Sequence, residues 1–208
     1  MASDRKALLT EEQYLEIERK AERKSEFLNG EMFAMAGAGW VHNRLIWNLI
    51  AQLGRQLGSG PCFGCPSDMR VRVSATGLYT YPDVVVVCGK PQFLDGHTDT
   101  LLNPTLIVEV LSPSTEAYDR GRKFEHYRSL ASLRQYLLVA SERTETELRT
   151  RQPDGQWLLS FASEAPAVID LESRFCWSRK FTRALNSTNL LRRRGLRLWH
   201  GTGFGTAR

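Results

Sequence analysis

The chain predicts a single α/β domain, and three features predict it. Tyr81–Val87 and Leu106–Leu111 are short, β-branched apolar runs that read as strands. Between the second run and a third, Arg134–Val139, lies a charged amphipathic segment with Phe124, Tyr127, Leu130 and Ala131 on its packing side. Upstream, Val41, Leu45, Ile46, Leu49, Leu53 and Leu57 recur at helical spacing and mark a helix from Trp40 to Leu57. The order strand, loop, strand, helix, strand is the frame around which the remaining elements are placed.

A length of 208 residues with 42% hydrophobic and 25% charged residues is ordinary globular material, enough for one well-buried core. No apolar run approaches the ~20 residues that cross a bilayer, and no signal-peptide core follows Met1–Lys6. A cytoplasmic protein without a membrane partner is therefore expected. The net charge of +5 points to nucleic acid only superficially. Residues 173–208 hold eight Arg, one Lys and no acid, whereas the other 172 residues hold 19 basic and 23 acidic side chains. The body is mildly acidic, so a nucleic-acid function has to rest on a local site.

The elements follow in order. Thr10-Glu11-Glu12-Gln13 fits a capping box, opening a charged helix to about Lys24. Phe27–Phe33 is a hairpin turning at Asn29-Gly30, which favours the positive φ values of a type I′ turn. Gly37-Ala38-Gly39 precedes the Trp40–Leu57 helix, and Ser59-Gly60-Pro61 stops it. Cys62-Phe63-Gly64-Cys65 has the spacing of a redox or zinc half-site. Zinc needs four ligands and no second pair follows, so two small residues in a Gly/Pro loop is the plainer reading. Asp68–Val73 alternates with period two, as a half-exposed strand does, and Gly89–Pro104 reads as a long loop. Glu147–Arg151 and Trp157–Phe161 flank a Gln152–Gly155 turn.

The chemistry-bearing residues sit in the apolar frame. Asp83 heads one strand and Glu109 interrupts another; an ionised carboxylate there costs several kcal/mol unless a cation or hydrogen bonds offset it. Asp83 shares a face with Val85 and Val87, Glu109 with Ile107 and Leu111, so in-register pairing would bring both acids to one cation. Lys123 suggests a phosphate, although Asp119, four residues earlier, offers it a plain helix ion pair. His42 falls on the inward stripe of its helix, either as a satisfied core histidine or at a site. Glu31 is either a solvated turn acid or a third acid facing the site, and Tyr127 lies one helical turn beyond Lys123.

Taken together, Asn29-Gly30-Glu31, Gly37-Ala38, His42-Asn43, Tyr81-Pro82-Asp83, Ile107–Thr115 and Asp119–Tyr127 resemble the Uma2 (DUF820) family, within the PD-(D/E)XK restriction-endonuclease-like nucleases. The resemblance runs from about Thr10 to Glu172. It implies an α+β core with a central mixed β-sheet flanked by helices. It also implies a Mg²⁺ (or Mn²⁺) site in which Asp83, Glu109 and the Val110 carbonyl hold metal and Lys123 is catalytic, with Glu31, His42 and Tyr127 as additional site candidates. The expected activity is hydrolysis of DNA phosphodiester bonds, and the expected partners are DNA and a second copy of the chain. Leu111 stands where the broad superfamily places its lysine, which favours the alternative of a non-catalytic nucleic-acid-binding module; Lys123 is the replacement the Uma2 pattern offers. The basic segment 173–208 departs from the family, as an out-of-frame end or a DNA-binding tail would. A thiol or zinc function at Cys62 and Cys65 is a weaker competitor, and a nucleotide-binding fold lacks its Gly-rich loop.

Overall fold

The computed structural model describes residues 8–162 apart from Ser59 and Thr144. The basic segment 173–208 lies outside the described residues. Among the described residues, four α-helical pieces, α1 (Glu11–Glu18), α2 (Trp40–Leu57), α3 (Glu116–Tyr118) and α4 (Phe124–Tyr127), and one π-helical turn, Asp119–Lys123, accompany eleven strands. These are β1 (Ser25–Leu28), β2 (Glu31–Ala34), β3 (Cys62–Pro66), β4 (Arg70–Val73), β5 (Leu78–Thr80), β6 (Val84–Cys88), β7 (Thr100–Leu101), β8 (Leu106–Leu111), β9 (Gln135–Ala140), β10 (Thr146–Arg151) and β11 (Trp157–Ala162). The expected mixed sheet is a six-stranded one ordered β11-β10-β9-β8-β6-β3, in which β8 and β9 run parallel and the other pairs antiparallel. A second, five-stranded sheet is ordered β2-β1-β5-β4-β7.

The layers follow from alternation along the strands. On one face of the six-stranded sheet, Val84, Val86, Val108 and Val110 pack beneath Leu45, Leu49 and Leu53 of α2. Fully burying a leucine is worth about 1.5–3 kcal/mol, and Leu49→Ala should cost about 2–5 kcal/mol because the rigid sheet cannot close the cavity. On the other face, Val85, Val87, Ile107, Leu111, Tyr136 and Leu138 meet Val71, Val73, Leu78 and Leu101 of the second sheet. Tyr14 and Leu15 of α1 pack on Phe27 and Tyr79. The capping box at Thr10 forms in both directions, and Asn29 and Gly30 take φ values of 52° and 85° at the hairpin turn.

Several local expectations are corrected. The first helix stops at Glu18 rather than near Lys24, because the Glu18 carboxylate turns inward and accepts from the Ser25 amide and the Tyr81 hydroxyl, both at 2.8 Å. Cys62–Pro66 is strand β3 rather than a loop, and Cys62 is bonded to Cys88 on the neighbouring strand, leaving Cys65 as the free thiol among the described residues. The Cys62/Cys65 pair therefore does not act as a unit. Strand β4 is buried rather than half-exposed: Arg70 donates to Thr100 Oγ1 and the Tyr81 hydroxyl at 2.9 Å and lies 3.1 Å from Asp99 as an ion pair. The long Gly89–Pro104 loop holds β7, which pairs parallel with β4. No helix among the described residues is long and apolar enough to cross a membrane.

Candidate active site

The register of β6 against β8 builds the site. Val84 pairs with Val108 and Val85 with Ile107, so Asp83, one residue before β6, comes level with Glu109. The Val110 amide donates to Asp83 Oδ2 at 2.7 Å, and the Asp83 amide lies 3.4 Å from Glu109 Oε2. Two carboxylates and the backbone of Val110 thus meet at one edge of the strand pair. From the covering helix, His42 Nε2 reaches Asp83 Oδ2 at 3.3 Å.

The lysine arrives by an irregular route. Between α3 and α4, Asp119–Lys123 forms a π-helical turn, a feature that recurs at functional sites because it redirects side chains within a helix. The turn is held from below by the Tyr136 hydroxyl, which donates to the Asp119 carbonyl at 2.9 Å. Phe124 stacks on the Tyr136 ring, with centroids 5.6 Å apart. Lys123 Nζ, on a side chain only 7% exposed, then lies 3.0 Å from Glu109 Oε1, 3.3 Å from Glu26 Oε1 and 3.4 Å from Asp119 Oδ1. The Tyr127 hydroxyl, from the next turn, donates to Glu109 Oε1 at 3.0 Å.

Asp83, Glu109, Lys123, Val110, His42 and Tyr127 are therefore brought together. Glu31 is not: it is exposed at the head of β2, opposite Leu28. The third carboxylate at the lysine is Glu26, on the partner strand of the same hairpin. Thr80 and Tyr118 donate to Glu26, and neither they nor Glu26 stood out in the sequence. A signal existed. Leu28 packs into the core between the sheets, and Glu26, two residues earlier, shares its face. Asp119, read only as a helix partner for Lys123, is itself buried in the cluster.

The electrostatics show an excess of acid. Burial pushes Glu109 up to about 8, Asp119 and Asp83 push the same way, and Lys123 opposes them. Burial also raises Asp119. Burial alone would lower Lys123, but Glu109, Glu26 and Asp119 hold it well above the usual lysine value, so it stays an ammonium. His42 is raised by its hydrogen bond to Asp83 against the effect of burial, with the Val110 carbonyl contributing. Four carboxylates, Glu26, Asp83, Glu109 and Asp119, thus face one lysine and one histidine. Among the described residues no group of three or more His, Cys, Asp or Glu side chains is arranged to hold a metal. Asp83 and Glu109 with a backbone carbonyl fit instead the sparse, all-oxygen set that Mg²⁺ uses when water and phosphate oxygens complete its shell. Leu111, 2% exposed in the core between the sheets, has no room for a cation, and Lys123 supplies the ammonium at Glu109.

Comparison with known proteins bears on the family and the fold. The Uma2 family model, described as "Putative restriction endonuclease", matches residues 11–182. Two uncharacterized Synechocystis proteins are similar: sll1609 is 39% identical over 153 residues, 74% of this chain and 86% of its own. The second, slr1290, is 38% identical over 151 residues, 73% of this chain and 78% of its own. A crystal structure from Anabaena variabilis, described as "a putative nuclease belonging to DUF820", superposes with a TM-score of 0.64. It is 13% identical and the match covers 77% of this chain and 88% of that one, a likeness of fold. The match across most of the chain, on a fold that gathers Asp83, Glu109 and Lys123, establishes that this protein belongs to the Uma2 family.

Proposed function

We propose that the protein is a metal-dependent DNA endonuclease that hydrolyses phosphodiester bonds at the Asp83–Glu109–Lys123 cluster. The observation that carries this reading is the level pairing of two carboxylates with a buried ammonium 3.0 Å from one of them. The family to which the chain belongs supports it. Asp83, Glu109 and the Val110 carbonyl would hold Mg²⁺ or Mn²⁺, which supplies Lewis acidity toward a phosphate oxygen and lowers the pKa of a bound water.

The chain's own residues have distinct parts. Lys123, held protonated by its three carboxylates, donates hydrogen bonds and offsets negative charge on the phosphate as water attacks phosphorus and the bond to the leaving oxygen breaks. It does not serve as the base. Tyr127 fixes Glu109 Oε1, and the Val110 amide fixes Asp83 Oδ2, so both carboxylates are oriented before substrate arrives. His42 holds Asp83 from the α2 side. A homodimer, with each copy offering one such centre to a strand, is the assembly this reading carries; sedimentation velocity tests it.

The decisive assay is conversion of supercoiled plasmid by purified protein with Mg²⁺ or Mn²⁺, beside a Glu109→Ala variant purified identically. Nicking or linearisation that requires metal and is absent from the variant is the expected result. Metal binding without cleavage by the wild type would instead identify a non-catalytic module built on the nuclease fold.

A further inference from the structure

Away from the acidic cluster, six arginines are paired with acids and three others are gathered at the end of β10. Arg19, Arg70, Arg72, Arg120, Arg143 and Arg149 each pair with a carboxylate. Arg128, Arg134 and Arg151 form no such pair among the described residues, yet they lie together. Arg151 closes β10, and its amide donates to the Arg134 carbonyl at 2.8 Å. Its guanidinium donates to the carbonyls of Arg128 and Leu130 and stands 4.9 Å from the centre of the Trp157 ring. Arg128 lines an open hollow with Phe124, Trp157 and the Asp154–Gln156 turn. Asp154 is engaged in that turn, its Oδ1 accepting from the Gln156 amide at 2.9 Å. Burial, Arg134 and Arg128 all press the Arg151 pKa below the usual arginine value, and no carboxylate acts in the other direction. Three arginines against the single Asp154 carboxylate leave an excess of positive charge, on a body that is otherwise mildly acidic, and an anionic ligand would complete it.

We propose that Arg128 and Arg134, backed by Arg151, form a phosphate-binding ledge that holds the backbone of a DNA strand beside the candidate cleavage centre. This rests on the nuclease reading and adds a contact outside the catalytic cluster. Leu138 pairs with Glu109, and Arg134 precedes Leu138 by four residues on the same run of chain. The ledge is therefore displaced from the carboxylates by roughly 13 Å along the sheet, at about 3.3 Å per residue. That is about four nucleotides of rise along a duplex strand. Arg128 and Arg134 are exposed, so their heads are free to fork onto phosphate oxygens. Arg151, tied to two carbonyls, fixes the backbone that carries them.

The test is fluorescence anisotropy of a labelled 20-base-pair duplex with the full chain, in Ca²⁺ to read binding without cleavage, across a series of salt concentrations. The variants are R128Q/R134Q, its conservative counterpart R128K/R134K, and a charge-matched control, R23Q/R55Q, in two exposed arginines elsewhere. Removing two phosphate contacts should lower the slope of log K against log salt by about 1.8, at about 0.9 per phosphate. R128Q/R134Q should also weaken binding at least tenfold at low salt, while circular dichroism and Tm stay unchanged. The lysine variant should restore most of the slope, and the control should bind as wild type. Excess inorganic phosphate should displace DNA no better than chloride of equal ionic strength; efficient displacement would mean a small-anion site and overturn the strand contact. Equal slopes for wild type, R128Q/R134Q and R23Q/R55Q would overturn the ledge while leaving the nuclease reading intact. A wild type that fails to bind duplex at any salt would overturn both.

Discussion

The π-helical turn Asp119–Lys123 sends charged side chains into two clusters, and the contrast between them is instructive. On the outer side, Arg120 meets Glu116 at 2.9 Å, Glu145 at 2.7 Å and also Glu147, while Arg143 meets Glu116 and Glu145 and Arg149 meets Glu147. Three acids face three arginines there; Glu147 is buried between two of the arginines, and the contacts of Glu116, Glu145 and Arg143 are partly exposed. On the inner side, Lys123 meets Glu26, Glu109 and Asp119, with Asp83 and His42 adjoining. The outer cluster is balanced, and each exposed pair in it contributes little to stability. The inner cluster is buried and short of positive charge, an arrangement that costs free energy unless something else occupies it. Arg120 and Lys123 look alike as charged letters in one short stretch; burial and charge balance set their clusters apart.

The largest expected effect breaks the inner cluster at Glu109, the acid proposed to hold metal. Glu109→Gln keeps an oxygen to accept from Tyr127 but removes the buried carboxyl group and its capacity to carry negative charge. Cleavage should fall by about 100-fold or more, the scale of one preorganised electrostatic contact. The metal-free protein should be no less stable than wild type, since Glu109 carries more repulsion and desolvation than Lys123 offsets. Paired measurements of plasmid cleavage and urea unfolding check this. A large loss of stability together with activity would mean that Glu109 is chiefly a structural ion-pair partner.

Removing the cation reverses the balance. Lys123→Met leaves Glu26, Glu109 and Asp119 without their shared ammonium, and should destabilise the fold by about 3–5 kcal/mol. In a chain of this size that is a fall in Tm of roughly 6–20 °C. Arg143→Ala, in the outer cluster, should cost less than about 1 kcal/mol. Mg²⁺ should recover part of the Lys123→Met loss, because a ligand at 100 times its Kd stabilises by about 2.7 kcal/mol. Thermal melts of both variants with and without Mg²⁺ compare the clusters directly, and equal losses would erase the distinction drawn between them.

The same contrast shows what was legible in the residues. Asp83 and Glu109 announced themselves because an acid within or at the head of a β-branched run has to be compensated. The α2 helix was legible to its ends, since its apolar period and its flanking glycines agree with the tertiary packing. The π-turn was not, because Gly121 and four charged residues fit an ordinary amphipathic helix equally well; what fixes the turn is Tyr136, from a strand twelve residues further on. Nor was the second sheet, whose strands are short and pair across long separations, such as Phe27 with Tyr79. Glu26 was missed for the same reason. Which face of a short hairpin is buried depends on the strand it adds to, and Glu31, beside the turn, was the more conspicuous acid.

That difference gives a sharper and smaller test. Glu26→Gln should reduce cleavage by about tenfold, the cost of losing a partner that orients a catalytic group. Glu31→Gln, at an exposed position, should leave activity within about twofold and stability within ±0.5 kcal/mol. Kinetics of the two variants at saturating Mg²⁺ decide which acid belongs to the lysine. The opposite order would place the third acid at the turn rather than on β1.

The smallest effect lies in a third group of charges, where α1 meets the β7 region. Asp99 is 38% exposed; it accepts from Arg19 Nε at 2.7 Å and from Thr100 Oγ1 at 2.9 Å and lies 3.1 Å from Arg70. Burial would raise its pKa, but the bonds from Arg19 and Thr100 and the charge of Arg70 hold it down to about 2. An unfolded aspartate titrates near 3.9. Because the folded value is the lower one, the stabilisation is fully present above about pH 4 and is lost as pH falls toward 2. Solvent screening limits it to about 1 kcal/mol or less. The gap in Tm between wild type and Asp99→Asn should therefore be constant from pH 7 to 5 and close as pH falls from 4 to 2. A gap that persists unchanged at pH 2 would mean that Asp99 contributes through neutral hydrogen bonds, leaving charge balance as an account of the inner and outer clusters alone.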